Sequence, residues 1–251
     1  MNDLPRCTSK LRNEIRELHT SRGRRDSGTF LVEGPHACDE LASSSANVLH
    51  VVLRDDASQH ARTVASVFAE RGVTVLATGA RDMERMSDMT TPQDVLAVVE
   101  IPLPRQCGDR IILLDGISDP GNLGTIIRTA AWFGFNDVVL LEGSADPFAP
   151  KVVRSSVGAL LHVNVKRDAT LDTIPSIIRD VPLIAAATRG GQPPQALRGL
   201  ASCCIVVGSE AHGVRAELLE QCSIHITIPG SDSVESLNAS IAAAILMYEA
   251  R

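Results

Sequence analysis

The chain has 251 residues, 44% of them hydrophobic, and carries a formal net charge of −6 at neutral pH. That length holds one large domain or two small ones with a proper apolar core, and the acidic balance gives no sign of nucleic-acid binding through overall charge. No apolar run is long enough to cross a membrane, and the charged N-terminus lacks the apolar stretch of a signal peptide, so we expect neither.

The cysteines show neither a CxxC pair nor the spacing of a metal site. Cys203 and Cys204 are adjacent within an apolar segment, a pattern typical of buried, reduced thiols in a cytoplasmic protein. The histidines also lack the spacing of metal ligands. The sequence therefore predicts a protein that binds no metal.

The N-terminal segment is locally basic. Residues 1–25 hold seven basic and three acidic side chains. Such a cluster can contact phosphates, although a solvated amphipathic helix has the same composition. The candidate phosphate-contacting residues are Arg12, Arg16, Arg22, Arg24 and Arg25.

Strands and helices alternate along both halves, which predicts an α/β fold with mostly parallel sheets. Residues 101–108 contain two prolines and form the predicted linker between a domain over 1–104 and a domain over 105–251. The first half is predicted to form a helix over 8–20, a loop over 21–28, strands over 29–32, 48–53, 73–77 and 95–99, and helices over 34–42, 59–70 and 81–86.

The second half is predicted to form strands over 110–115, 137–141, 162–165, 183–187, 203–207 and 223–228, and helices over 122–133, 149–158, 171–179, 216–221 and 237–248. Helix 237–248 is apolar almost all the way round, which predicts that it is buried. A polar loop over 229–235 precedes it, and Ser233 or Ser236 is the predicted helix cap.

Polar clusters follow three of the predicted strands, at the edge where open α/β sheets bind ligands. Arg128 lies on an otherwise apolar helix, so it either has an anionic partner or faces solvent. Glu210 lies between glycines that allow backbone amides to approach a ligand, although the same turn could simply start a helix. Asn122 belongs to the first cluster and Asn238 to the third. The chain lacks the fingerprints of dinucleotide-binding enzymes, P-loop NTPases and α/β-hydrolases.

Taken together, the three clusters resemble the three motifs of the SpoU (TrmH-type) RNA ribose methyltransferases, which belong to the SPOUT class. The motifs are N-x-G-x-x-x-R from Asn122 to Arg128, G-x-E-x-x-G from Gly208 to Gly213, and I-P…S-L-N-x-S from Ile228 to Ser240. This match covers residues 109–251, with one departure at Gly230, where the family often has Met. The segment FLVEGPHACDEL and the basic helix before it resemble the family's small ribosomal-protein-like RNA-binding domain.

The resemblance implies a deep trefoil knot in the second domain, a homodimer with active sites at its interface, and S-adenosylmethionine bound by the knotted loops. The implied cofactor residues are Thr188, Gly190, Gly208, Ile228 and Leu237. The implied catalytic residues are Asn122, Arg128, Glu210, Ser236 and Asn238. The arginines of residues 1–25 then become candidate RNA contacts.

The implied reaction transfers a methyl group to a ribose 2′-hydroxyl without a metal ion. Arg128 is either the base or a clamp for the adjacent phosphate. Large-subunit rRNA is the first expected substrate and tRNA the second. A non-catalytic RNA-binding protein and a SPOUT enzyme that methylates a base nitrogen are the remaining alternatives.

Overall fold

The computed structural model describes residues 4–231, 233 and 236–251. The chain divides into two compact units, the first formed by the residues up to Leu103 together with Phe148–Leu161, and the second by Pro104–Pro147 with His162–Arg251. Within the described part of the chain, no helix has the length and apolar character needed to cross a membrane.

Helices and strands are numbered in chain order. The α-helices are α1 (Ser9–Glu17), α2 (Ser21–Ser27), α3 (Pro35–Ser43), α4 (Gln59–Glu70), α5 (Ala80–Met86), α6 (Pro120–Phe133), α7 (Pro150–Ser156), α8 (Ile174–Ile178), α9 (Ala216–Leu219) and α10 (Ala239–Glu249). The strands are β1 (Thr29–Glu33), β2 (Val48–Arg54), β3 (Thr74–Thr78), β4 (Val95–Glu100), β5 (Arg110–Asp115), β6 (Asp137–Leu141), β7 (Asn164–Ala169), β8 (Leu183–Ala186), β9 (Cys203–Gly208) and β10 (Ile224–Ile226). Short 3-10 helices cover Ala159–Leu161, Leu171–Thr173 and Pro194–Leu197.

The first unit contains a mixed four-stranded sheet in the order β1-β4-β2-β3. Strand β4 is antiparallel to both of its neighbours, β1 and β2. The pair of β2 and β3 is parallel. The prediction of a mostly parallel sheet is therefore wrong for this half. Alternation of strands and helices indicates the structural class, but the path of each connection decides the direction of the next strand.

Two local features of the first unit also differ from the prediction. Most of the predicted loop over 21–28 forms helix α2 (Ser21–Ser27), because Thr20 accepts a hydrogen bond from Gly23 N and Gly28 ends the helix in the left-handed region at φ 66°. The predicted boundary places Phe148–Leu161 in the second domain, yet the Phe148 ring packs against Phe30 of the first unit, with ring centroids 5.1 Å apart.

The second unit contains a six-stranded sheet in the order β10-β8-β9-β5-β6-β7, with every pair parallel. The predicted parallel α/β fold is confirmed here. Strands β5, β6 and β9 are almost entirely buried, which explains their continuous apolar sequences. Since all six strands run the same way, the loops that follow them lie at one edge of the sheet.

Helices α6 and α10 pack against each other beside this sheet. Asn238 caps α10, so the predicted caps at Ser233 and Ser236 are wrong, and Leu237 lies outside the helix. Only one face of α10 is buried in the single chain, because Ile241 is 50% exposed and Tyr248 is 46% exposed. The predicted burial of the whole helix therefore does not occur within one chain.

Candidate active site

Three motif residues from separate parts of the second unit meet at one edge of its sheet. Glu210 Oε1 accepts hydrogen bonds from the side-chain amides of Asn122, at 2.8 Å, and Asn238, at 2.6 Å. The Asn238 amide also donates to Asn122 Oδ1 at 3.1 Å. These three side chains form the candidate triad, and their separations of 28 to 116 residues show that only tertiary structure assembles it.

Asn238 has a fixed orientation because it also caps α10. Its Oδ1 accepts hydrogen bonds from Ser240 N at 2.9 Å and from Ser240 Oγ at 2.6 Å. With the oxygen committed to the helix end, the amide nitrogen faces Glu210. A single side chain thus links the start of α10 to the loop after β9.

The Glu210 loop is a tight turn. Gly213 N donates to Ser209 O at 2.8 Å, and His212 N donates to Ser209 Oγ at 3.2 Å. A Cβ atom placed on Gly208 would lie 2.0 Å from the Gly213 carbonyl carbon, so a side chain at position 208 would force this turn apart. Glycine is needed at this position because two stretches of backbone touch there.

A charged pair anchors the far end of the same loop. Asp115, only 4% exposed at the end of β5, accepts hydrogen bonds from Arg215 N at 2.9 Å and from Arg215 Nε at 2.8 Å. Arg215 also bonds the Glu142 carbonyl at 3.4 Å. The sequence motifs did not point to this pair. The only signal was a carboxylate directly after four buried apolar residues of β5, a place where a charge needs a partner.

Arg128 is not part of the triad within one chain. It is exposed on α6 and makes no hydrogen bond or ion pair with any residue that the structure describes. Arg128 is six positions after Asn122, which places it about 9 Å further along the helix and on a different face. Trp132, four residues later and 84% exposed, shares its face.

The five candidate cofactor residues lie at the end of β9 or follow β8 and β10, at the sheet edge that holds the triad. The loop after β8 is tied to β10, since Gln192 N donates to His225 O and Gly191 N to Thr227 Oγ1. Gly191 was missed by the sequence motifs, although a Cβ there would lie 2.7 Å from His225 O. Thr188, Gly190 and Leu237 are exposed, as is the candidate catalytic residue Ser236, while Gly208 and Ile228 are half-buried.

The N-terminal arginines divide into two groups. Arg24 is 3% exposed and donates to Leu18 O at the end of α1, so its prediction as a phosphate contact is wrong. Arg12 is half-buried and bonded to Cys7 O and Ser9 Oγ, so its guanidinium is held within its own unit. Both side chains satisfy polar groups near α1. The exposed members of the set are Arg16, Arg22 and Arg25.

The chain matches two family models that together span most of its length. The SpoU rRNA Methylase family matches residues 109–248, and the MRM3-like substrate binding domain matches residues 13–97. A relative from Bacillus subtilis (strain 168), the 23S rRNA (guanosine(2553)-2′-O)-methyltransferase RlmP, is 34% identical over 242 residues, which cover 94% of each chain.

Solved structures agree with these matches. A TrmH-family protein from Porphyromonas gingivalis superimposes with a TM-score of 0.82 at 33% identity, covering 98% of both chains. The AdoMet-bound rRNA methyltransferase from Sinorhizobium meliloti gives a TM-score of 0.83 at 27% identity, covering 99% of this chain and 96% of that one. The resemblance that the three sequence motifs indicated is confirmed, and this chain is a member of the SpoU rRNA methylase family.

Proposed function

We propose that this protein is an S-adenosylmethionine-dependent methyltransferase that modifies a ribose 2′-hydroxyl in large-subunit rRNA. The observation that carries the proposal is the triad of Asn122, Glu210 and Asn238, which joins the three family motifs in one hydrogen-bonded cluster. The 2′-O activity named for the Bacillus relative supports the reaction, and its 23S rRNA substrate supports rRNA over tRNA.

The sheet edge beside the triad fits S-adenosylmethionine. The loops after β8 and β9 are shaped by glycines, with Gly190 at φ 76° and Gly208 too close to Gly213 for any side chain, so backbone groups line this edge. Thr188, Ile228 and Leu237 would supply the remaining wall. When bound, the cofactor provides a methyl group already activated by its sulfonium, so the protein has only to position the hydroxyl and stabilise its developing charge.

The triad orients the ribose. Glu210 Oε1 is occupied by two amide donors, whereas its second oxygen makes no hydrogen bond with the part of the chain that the structure describes. That oxygen accepts the hydrogen bond of the incoming 2′-hydroxyl and holds the attacking oxygen in line with the methyl group. Ser236, two residues before Asn238, contacts the same ribose.

Arg128 acts as a clamp rather than as a base. A guanidinium scarcely loses its proton in proteins, so Arg128 binds the phosphate beside the reacting ribose and stabilises the alkoxide that forms. Its exposure and its lack of partners among the described residues leave it available for this role.

The active unit is a homodimer, and Arg128 serves the partner's triad. Arg128 and Trp132 share one exposed face of α6, and α10, which packs against α6, exposes Ile241 and Tyr248. A second copy that covers these apolar side chains would meet Arg128 as well. The family resemblance, which implies active sites at a dimer interface, supports this arrangement. The same resemblance supports a knotted path for the second unit.

The first unit selects the RNA, and the second carries out the reaction. The match of residues 13–97 to a substrate binding domain supports this division, and Arg16, Arg22 and Arg25 are the exposed cations that contact phosphate.

The cysteines are free and five of them are buried. Burial raises the thiol pKa, as at Cys204, and free thiols of this kind support a reducing, cytoplasmic setting.

The proposal is tested by mapping 2′-O-methylation in total RNA from cells with and without the gene, followed by methylation of purified RNA. We expect one ribose of large-subunit rRNA to lose its methyl group in the deletion strain and to regain it with wild-type protein, but not with Glu210→Ala. Digestion of the product to nucleosides distinguishes ribose from base methylation. A methylated base, or a modified tRNA with unchanged rRNA, would contradict the proposal.

A further inference from the structure

Helices α3 and α4 of the first unit bring two histidines and a carboxylate together on their surface. His36 and Asp39 lie three residues apart on α3, and His60 lies in the first turn of α4. Their candidate ligand atoms all lie within 4.8 Å of one another. His60 Nε2 is 2.5 Å from an Asp39 carboxylate oxygen, and the rings of His36 and His60 meet edge to face with centroids 4.9 Å apart.

The cluster contains a third side chain, His36, in addition to the pair formed by Asp39 and His60. Asp39 and His60 already bond to each other, yet a ring nitrogen of His36 lies within 4.8 Å of their ligand atoms, and His36 makes no hydrogen bond with any described residue. Residues three apart on a helix are neighbours, so α3 presents two ligands on one face and α4 contributes the third across the helix pair. Because these side chains are exposed or half-buried, small rotations can bring their atoms to metal-bonding distance.

We propose that His36, Asp39 and His60 bind a divalent transition metal of the Zn²⁺ class, which links α3 to α4. Two imidazoles and one carboxylate suit Zn²⁺ and leave its fourth position to water. The metal takes the place of the hydrogen bond between His60 and Asp39. Local spacing could not reveal this site, because His36 and His60 are 24 residues apart, on different helices.

The site lies within the first unit, whereas the triad and the Glu210 loop belong to the second. We therefore expect the metal to stabilise the substrate-binding unit and to take no part in methyl transfer. The thiols are weak competitors for it, because burial raises the pKa of Cys107, Cys203 and Cys222 to about 11 and a thiol must ionise to bind a metal.

The test is calorimetric titration of untagged, full-length protein with ZnCl₂, with Co²⁺ absorption as a second probe. Wild-type protein should bind one equivalent, and Co²⁺ should show visible ligand-field bands without the near-ultraviolet band of a thiolate ligand. His36→Gln and His60→Gln should each weaken binding at least about 100-fold, since removing a residue that merely orients a metal ligand already costs about 10–100-fold. Asp39→Asn, which keeps a hydrogen-bond acceptor for His60, should weaken it as well.

His162→Gln is the matched control, because His162 is exposed and belongs to no cluster of candidate metal ligands among the described residues. It should bind Zn²⁺ as tightly as wild type. Melting curves without metal show whether each variant folds. Equal Zn²⁺ affinity in wild type, His36→Gln and His60→Gln, absence of binding to folded wild type, or a Co²⁺ thiolate band would each overturn the proposal.

Discussion

Asn238 carries two roles that depend on opposite ends of one small amide group. Its oxygen caps α10, and its nitrogen donates to Glu210 and Asn122. Aspartate shares the oxygen but lacks the donor, so substitutions at this position can separate the two roles. The same reasoning applies to the arginines near α1, where burial distinguishes the structural guanidinium of Arg24 from the exposed ones proposed to contact RNA.

Replacing Asn238 separates helix capping from catalysis. Asn238→Asp should keep the cap, and hence a near-normal melting temperature, while placing a second carboxylate against Glu210. We expect its kcat/KM to fall at least about 100-fold, as for loss of a key transition-state contact. Asn238→Ala should lose activity as well and about 1 kcal/mol of stability through loss of the cap. Steady-state methylation and thermal melting are the measurements, and an Asp variant with more than a tenth of normal activity would contradict this role.

The arginines of the first unit should separate in the same way. Replacing Arg16, Arg22 and Arg25 together with alanine should weaken RNA binding and reduce the slope of log K against log salt by roughly 0.7–0.9 for each phosphate that is no longer neutralised. The melting temperature should not change, because all three side chains are exposed.

Arg24→Ala is the matched comparison for this triple variant. It removes a buried charged donor to Leu18 O, and we expect it to cost about 1.5–3 kcal/mol of stability. Fluorescence binding at several salt concentrations and urea unfolding distinguish the two sets. An unchanged salt slope in the triple variant would mean that the exposed arginines do not contact phosphate.

The parallel sheet of the second unit brings the residues of the candidate active site together, and contacts within the loops hold those residues in position. Strands β5, β8, β9 and β10 all end at one edge, so residues far apart in sequence become neighbours. The loop after β9 is closed by contact of Gly208 with Gly213 and is anchored by the pair of Asp115 and Arg215. The position of Glu210 therefore depends in part on Asp115 and Arg215, which belong to none of the three motifs.

Breaking the anchor should reduce catalysis as well as stability. Arg215→Ala removes the guanidinium that pairs with the buried Asp115, which then keeps only the backbone N–H donor of residue 215. We expect a loss of about 2–3 kcal/mol of stability, less than for a fully buried pair because Arg215 is partly exposed. The same variant should lower kcat more than it raises KM, because Glu210 is misplaced. Urea unfolding and steady-state kinetics measure both effects.

Arg85→Ala is the control for the anchor, because Arg85 is 65% exposed and its partner Asp82 keeps Arg12 as a second cation, and such surface pairs contribute only about 0–1 kcal/mol. Its unfolding and kinetics should resemble those of wild type. If Arg215→Ala lost stability but kept its kcat, the pair would be purely structural.

The buried thiols around β9 predict a loss of stability at high pH. Burial raises the pKa of Cys107 and Cys203 from the ordinary value of 9.0 to about 11, and burial also raises the pKa of Cys204 well above 9.0. Below pH 9 both the folded and the unfolded thiols are protonated, so stability does not depend on them. Between pH 9 and 11 the unfolded chain binds fewer protons than the folded one, so the free energy of unfolding falls by up to about 1.4 kcal/mol per pH unit for each thiol.

Urea unfolding of wild type and of Cys203→Ala at several pH values between 8 and 11 tests this pH dependence. The variant should lose less stability on going to high pH than wild type does. Parallel curves for the two proteins would mean that Cys203 does not contribute.

At the scale of the whole molecule, one chain holds only part of the proposed active site. The triad and the candidate cofactor residues belong to one chain, but Arg128 lies on a different face of α6, beside the exposed Trp132. Helix α10, which packs against α6, exposes the apolar side chains of Ile241 and Tyr248. A dimer would explain both the exposed surface and the isolated arginine.

Mixing two inactive variants tests the dimer and the origin of Arg128 together. If Arg128 serves the partner's triad, Arg128→Ala combined with Glu210→Ala gives mixed dimers with one intact site. Random assembly then restores about a quarter of wild-type activity, because about half of the dimers are mixed and one site in each is intact. If both residues act in the same chain, no activity returns.

Light scattering checks the assembly itself. Wild type should have the mass of a dimer, and Ile241→Asp should be monomeric and inactive because a charge would replace an apolar contact. Leu103→Asp, at a residue that is 90% exposed outside this surface, should remain dimeric and active. An active wild-type monomer would rule out the dimer.

The α/β class, the buried strands and the family membership could all be predicted from short stretches of sequence. Strands β5 and β6 were predicted with the bounds that the structure has, because continuous apolar segments of that length and composition form buried strands. The motif residues Asn122, Glu210 and Asn238 were identified from spacing that only a resemblance could interpret. Local composition and family motifs are both properties of neighbouring residues, so they can be recognised before the chain is folded.

Which of these residues meet could be learned only from the folded chain. The fold joined Asn122, Glu210 and Asn238, revealed the Asp115–Arg215 anchor, and showed that β4 runs against its neighbours. It also brought the cluster of His36, Asp39 and His60 together and buried Arg24. These features arise from contacts between residues far apart in sequence. The path of the connections decides which side chains are buried, how each strand runs and which groups form hydrogen bonds, and local composition does not reveal that path.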